Sequence, residues 1–226
     1  MSPTVPKALG ALLLYPTQEL LAALPDIGAA LVSEEAITPD TRAALARLIE
    51  TLATTELLDL EEAYVGLFDR GAALSLHLFE HVHGESRERG QAMIDLRKVY
   101  EKAGFDPTSR ELPDYLPLIC EFVSLAPAEE GRALLADTAP VLAGLRSRLE
   151  RRRSPYAAVI LALLEISGAR LDESAATDAP SSVAEDGDDL ASIDRNWEEV
   201  PVTFGRGEFT GATPATALPR HPRRTG

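Results

Sequence analysis

Apolar residues recur at intervals of three and four along this chain up to about residue 170, and no stretch alternates long enough to nominate a strand. That spacing lays the apolar side chains along one face of a helix, and such a face is stable only when buried against another. Leu45, Leu48, Ile49 and Leu52 follow Thr38-Pro39-Asp40, which reads as an N-cap, a first-turn proline and an acid matching the helix dipole. Leu57, Leu60, Tyr64, Leu67 and Phe68 make a second stripe. Ala92, Met93, Leu96, Val99, Tyr100 and Ala103 make a third, with Glu85 and Glu88 at its start, Arg97, Lys98 and Lys102 near its end, and Gly104 placed to close it. Further helices are predicted around Leu116, Ile119, Phe122 and Val123, around Leu142, Leu145 and Leu149, and around Tyr156, Val159, Ile160, Leu163 and Leu164. The prolines at 39, 113, 127, 140 and 155 are expected between helices or in their first turns, where a missing N–H breaks no hydrogen bond. The expected fold class is all-α, a compact helical bundle over residues 1–171.

Beyond Leu171 the composition changes. "DESAATDAPSSVAEDGDDLASIDRN" is acidic and poor in apolar residues, so it cannot bury enough surface to offset the entropy of ordering. Residues 172–226 are therefore expected to form a disordered acidic tail. One island interrupts it at 196–205, "NWEEVPVTFG", which holds the only tryptophan, Trp197, with Val200, Val202 and Phe204. This aromatic motif reads either as a docking element or as a return of the chain onto the domain surface.

Charge narrows the classes of function. A formal net charge of −14 argues against nucleic acid and anionic membrane surfaces and favours a basic peptide as partner. The longest apolar run, Ala157 to Leu164, is less than half of the ~18 residues that span a bilayer, so no direct membrane insertion is expected. "KALGALLLYP" has a lone Lys7 and no convincing cleavage site before "PTQE", so it does not read as a secretory signal. The single cysteine, Cys120, excludes an intramolecular disulfide, and inside "YLPLICEFVSL" it reads as a buried small hydrophobe rather than a nucleophile. Together these features place the chain in a reducing cytoplasm.

One motif points elsewhere. His77-x-x-Glu80-His81, within "SLHLFEHVHGESRERG", spells the H-x-x-E-H of inverted zinc proteases. On a helix, His77 and His81 would share a face and reach one zinc ion, with Glu80 activating a water. Three letters are weak support in a chain this rich in glutamate, the surrounding segments are all helical, and Gly84 follows at once. The alternative has these histidines capping, hydrogen-bonding or lining a groove between helices, beside a charged network of Glu80, Glu85, Arg87, Glu88 and Arg89. A second basic cluster, Arg146, Arg148, Arg151, Arg152 and Arg153, reads either as a grip for pterin phosphates or as arginines matching a helix C-terminus.

Two longer segments resolve the choice. "YVGLFDRGAALSLHLFEHVHGESRERGQAM" and "ELPDYLPLICEFVSL" closely resemble the nitrate reductase molybdenum cofactor assembly chaperones, the delta-subunit or NarJ family, with the resemblance running over roughly residues 9 to 168. Tyr64, Phe68 and Asp69 stand for that family's Tyr-x-x-x-Phe-Asp. Leu78 to Gly84 carry its Leu-Phe-Glu-His-Val-His-Gly, and Glu111 to Pro117 carry its Glu-Leu-Pro-Asp-Tyr-Leu-Pro. The last is also similar to the Glu-x-Pro-Asp-His signature of the wider redox-enzyme maturation chaperones, with Tyr115 in place of histidine. His77 departs from the pattern, since relatives carry an aromatic such as tyrosine there, so the protease-like spelling arises from one exchange. "WEEVPVTFG" looks like a segment these chaperones carry near their C-terminus.

The resemblance implies an all-helical, cytoplasmic chaperone that is not an enzyme and has no cofactor or metal of its own. Such a protein binds the apo catalytic (alpha) subunit of respiratory nitrate reductase through that subunit's N-terminal segment, and keeps it competent for molybdenum cofactor insertion and complex assembly. The runner-up keeps the chaperone and changes the client to another molybdoenzyme, such as a dimethyl sulfoxide or trimethylamine oxide reductase; "FEHVHG" favours nitrate reductase. A zinc hydrolase built on His77, Glu80 and His81 is the remaining alternative. A basic, apolar client segment would dock as a helix in an apolar groove with acidic rims, steered there by net charge. Asp114, Tyr115 and Glu111 are expected to contact it, with Glu80 and His81 nearby and Tyr64 and Phe68 as the floor.

Overall fold

The predicted stripes fold as helices in the computed structural model, which describes residues 2–84, 86–106 and 111–169. The tail expected at 172–226, with its motif at 196–205, lies outside the described residues, as does Glu85. Nine α-helices occur among the described residues: α1 (Thr4–Leu12), α2 (Gln18–Val32), α3 (Pro39–Thr54), α4 (Leu57–Tyr64), α5 (Leu78–His83), α6 (Arg87–Lys102), α7 (Leu116–Leu125), α8 (Ala128–Arg151) and α9 (Ala157–Ser167). No strand is found among these residues, in keeping with the all-α expectation.

The least amphipathic helix sets the centre. In α9, Ala158, Val159, Ile160, Ala162, Leu163, Leu164, Ile166 and Ser167 are all buried, which leaves almost no polar face. A helix apolar all round has to be enclosed by others, and α9 packs against α8, α3 and α1. The remaining neighbours close a ring around it: α1 on α7 and α2, α2 on α3, and α7 on α8. The segment from α4 to α6 lies across this ring, touching α8 through a short 3-10 turn (Ala72–Leu74) and α5.

Thr38 caps α3 as predicted, its hydroxyl accepting from the Thr41 N–H with Pro39 in the first turn. The cap is completed from the other end of the chain. Glu165, in α9, accepts the Thr38 N–H at 3.0 Å and the hydroxyls of Thr38 and Thr41 at 2.8 Å each. Glu165→Ala should therefore lower stability by about 1–2 kcal/mol in chemical unfolding, with Glu165→Gln losing less because it keeps one acceptor.

Two local expectations are corrected. Pro140 neither separates helices nor opens one: it lies inside α8, while Pro39, Pro113, Pro127 and Pro155 fall at helix starts or turns. A mid-helix proline costs about 3 kcal/mol in isolation. Here Leu135, Ala139, Leu142, Leu145 and Leu149 are buried on both sides of it, and that shared burial holds the helix together through the break. The second stripe also changes pitch. After Tyr64 the chain makes a π-helical turn, Val65–Asp69, so Leu60, Tyr64 and Phe68 are buried while Leu67 is only half-buried.

Candidate functional site

The segments around 75–84 and 111–118 meet. His77 and Tyr115 form an isolated antiparallel bridge, in which the Leu116 N–H donates to the Leu76 carbonyl at 2.9 Å and the Leu78 N–H to the Asp114 carbonyl at 3.1 Å. Helix α5 is six residues long and its own N-cap residue, His77, makes no side-chain cap. Such a helix does not stand alone. Asp114 supplies what is missing: one carboxylate oxygen accepts the Phe79 N–H at 3.0 Å and the other lies 3.2 Å from His77 Nδ1. The Tyr100 hydroxyl fixes the same turn by donating to the Pro113 carbonyl at 2.8 Å. Asp114 is fully buried by this arrangement, so the residue expected on the rim is an internal cap instead.

His77 precedes α5, so it shares no helical face with His81. Its Nδ1–H donates to Asp114, and that hydrogen bond raises its pKa above the ordinary histidine value. Its ring lies over Tyr115, centroids 5.2 Å apart. His81 is buried, with Nδ1 3.2 Å from the Arg148 guanidinium. Since arginine only donates, Nδ1 must accept, and Nε2–H then donates to the Ser75 carbonyl at 2.8 Å. Burial, reinforced by the neighbouring arginine, pushes the His81 pKa down. Both ring nitrogens of His81 are thus committed to tying α5 to α8 and to the loop before it. Glu80 pairs with Arg89 at 3.0 Å and Arg146 with Glu150 at 2.7 Å. Among the described residues no group of three or more His, Cys, Asp or Glu side chains is placed to hold a metal ion.

The open space lies on the other side of the bridge, where Glu111 and Tyr115 line three adjoining cavities. The largest, ≈ 760 Å³, is an open groove floored by Ala11, Leu14, Leu20, Ala23 and Ile27 of α1, α2 and the link between them. A second, ≈ 220 Å³, runs between α1 and α7 past Gly10, Pro117 and Leu118. The third, ≈ 230 Å³, is walled by Tyr15, Tyr64, Phe68 and His77. Acids border all three: Glu19 and Asp26 along the first, Glu121 at the second, Asp69 at the third and Glu111 at every one. Lys7 is the one lysine or arginine among the described residues lining them. Leu14 and Tyr15 are 42% and 43% exposed, which leaves an apolar lip facing solvent.

Of the residues expected at the site, Tyr64, Phe68, Glu111 and Tyr115 are brought together around the third cavity. The Tyr64 hydroxyl donates to the Leu13 carbonyl at 2.8 Å, and its ring meets Phe68 at 4.9 Å and Tyr15 at 5.5 Å. Glu80, His81 and Asp114 line none of the three cavities; they hold α5 in place behind them. The groove floor on α1 and α2 went unforeseen. Part of its signal was present, since Leu20 and Ile27 of the floor belong to the stripe Leu20, Leu24, Ile27 and Leu31 behind a Thr17 cap, whose other two members are buried in the core.

Comparison with known proteins adds a second line. The family described as nitrate reductase delta subunit has a model that matches residues 34–162 of this chain. The nitrate reductase molybdenum cofactor assembly chaperone NarJ of Escherichia coli (strain K12) is 39% identical over 213 residues, covering 94% of this chain and 89% of that protein. The probable assembly chaperone NarW of the same strain is 39% identical over 218 residues, covering 96% and 90%. The probable assembly chaperone NarJ of Bacillus subtilis (strain 168) is 40% identical over 166 residues, covering 72% and 89%.

Proposed function

The chain belongs to the nitrate reductase delta subunit family, and on that premise we propose that it is a dedicated assembly chaperone of a respiratory nitrate reductase rather than an enzyme. It holds the apo catalytic subunit by its N-terminal segment and keeps it open to the molybdenum cofactor, then leaves the finished complex. The work is done in the cytoplasm; among the described residues no helix is long and apolar enough to cross a membrane.

One observation carries the client reading: Glu111 and Tyr115, from the segment that most resembles the family's wording, line all three cavities. Three adjoining cavities with an apolar floor in the largest and five bordering carboxylates between them fit the apolar face and basic flank of an amphipathic helix. Charge steers the segment in, and affinity need only be moderate because the client must later be released. Glu111 and Tyr115 make contact, Tyr64 and Phe68 back the wall, and Asp114, His81 and Glu80 act at one remove by positioning α5.

Co-purification tests the reading directly. The full chain should capture the catalytic subunit, and capture should fail when that subunit lacks its N-terminal segment. Equal capture of both forms would remove the groove from client recognition. A strain without this chain should make the catalytic subunit in normal amounts but without molybdenum cofactor; enzyme replete with cofactor there would sink the chaperone assignment itself.

A further inference from the structure

We propose that the ≈ 230 Å³ cavity walled by Tyr15, Tyr64 and Tyr115, with Asp69 and Glu111 at its mouth, is an arginine pocket that takes one guanidinium group of the bound client segment. The inference rests on the client reading above and adds a specificity element to it. The cavity differs in kind from the groove it adjoins. Tyr15, Tyr64, Phe68, Tyr115 and His77 wall it, Tyr64 meeting Tyr15 edge-on at 5.5 Å and His77 lying over Tyr115 at 5.2 Å, where the main groove shares only Tyr15 and Tyr115 and has an aliphatic floor. No lysine or arginine among the described residues lines it, whereas Lys7 lines both of its neighbours. The His77 proton on Nδ1 faces the Asp114 carboxylate, so any charge on that ring is already paired.

Asp69 and Glu111 set negative charge beside this space. Burial raises the phenol pKa of Tyr15, of Tyr64 and of Tyr115, and Asp69 adds to the rise in all three. Burial, the larger cause, disfavours either sign of charge, but the Asp69 contribution opposes a phenolate and favours a cation in the same space. Asp69 and Glu111 are exposed, and neither has an ion pair among the described residues. Guanidinium suits this site better than ammonium. It is flat enough to stack on a tyrosine, offers N–H donors in a fixed fork to two carboxylates, and is the more weakly hydrated of the two cations.

Calorimetry with the full chain and a synthetic peptide of the client's N-terminal segment reads the pocket out. Each arginine of the peptide is replaced in turn by citrulline, which keeps the shape and loses the charge. One replacement should weaken binding about tenfold to the native chain and less than twofold to the Asp69→Asn/Glu111→Gln variant. Equal losses in both proteins at every arginine, or a client segment without arginine, overturn the pocket and leave the groove standing. Should no form of the peptide bind, the groove reading fails and N-acetyl-arginine methylamide decides the pocket alone. Ring-proton shifts of Tyr15 and Tyr115 with that probe and not with its citrulline counterpart uphold it; shifts with both or neither overturn it.

Discussion

Gly10→Val should cost about 3 kcal/mol or more of folding stability, because it forces apart two helices that meet at van der Waals contact. A Cβ added at Gly10 would stand 2.6 Å from the Cys120 Cβ and 3.2 Å from the Pro117 carbonyl oxygen. Both are atoms of α7 or fixed to its backbone, so no side-chain rotation relieves them, and α1 packs chiefly on α7. Valine adds two further methyl groups at the crossing. Alanine should be milder, since leaving glycine inside a helix returns about 1 kcal/mol of propensity. Urea unfolding of Gly10→Ala, Cys120→Gly and the pair together separates the causes: removing the Cys120 Cβ should relieve the alanine by about 1 kcal/mol or more. Gly10 and Pro117 also line one cavity of the proposed client site, so displacing α1 should weaken capture of the catalytic subunit as well. An unfolding midpoint that does not move in Gly10→Val would refute the close crossing.

Asp114→Ala should cost about 2–3 kcal/mol, since it orphans the part-buried Phe79 N–H and His77 Nδ1–H. Asp114→Asn is the more informative change. Its amide oxygen can still accept from Phe79, but it cannot pair with a charged His77. The folded pKa of His77 is raised, chiefly by this hydrogen bond. The stability it contributes is therefore fully present below the unfolded value of about 6.5 and is lost as pH rises through the folded value. The gap between native chain and Asp114→Asn should be widest in mild acid and shrink toward alkaline pH. His81 runs the other way, its pKa lowered chiefly by burial; it is present in both proteins and Asp114 is the least of the influences on it, so most of its effect drops out of the difference. Because Asp114 is buried, any loss of client binding in Asp114→Asn should follow the loss of stability and change little with salt. A gap that is flat with pH would show that the His77 pairing contributes nothing.

The effect of Asp114 illustrates how far a sequence can be read. The resemblance of 111–117 singled the residue out as a client contact, while Pro113 before it leaves its carboxylate equally able to cap a helix start. Which role it plays depends on α5 arriving beside it, and Phe79 lies 35 positions away. The same limit explains His77. Its spacing to His81 is helical, yet α5 starts one residue later because the bridge to Tyr115 holds His77 extended.

What the chain's order of residues determined by itself was local: Thr38-Pro39 opening α3, the stripe from Leu57 to Tyr64, the apolar α9, and the wording that marks the family. Those signals act within a turn or two, through capping, backbone restriction and one-sided burial, and so they survive without knowledge of the fold. Tertiary structure alone decided that α8 runs through Pro140, that Glu165 reaches Thr38 across 127 positions, and that α1 and α2 floor a groove ending at Tyr115. Each of these depends on which faces of distant segments bury one another, an energy shared among many residues that no spacing along the chain records.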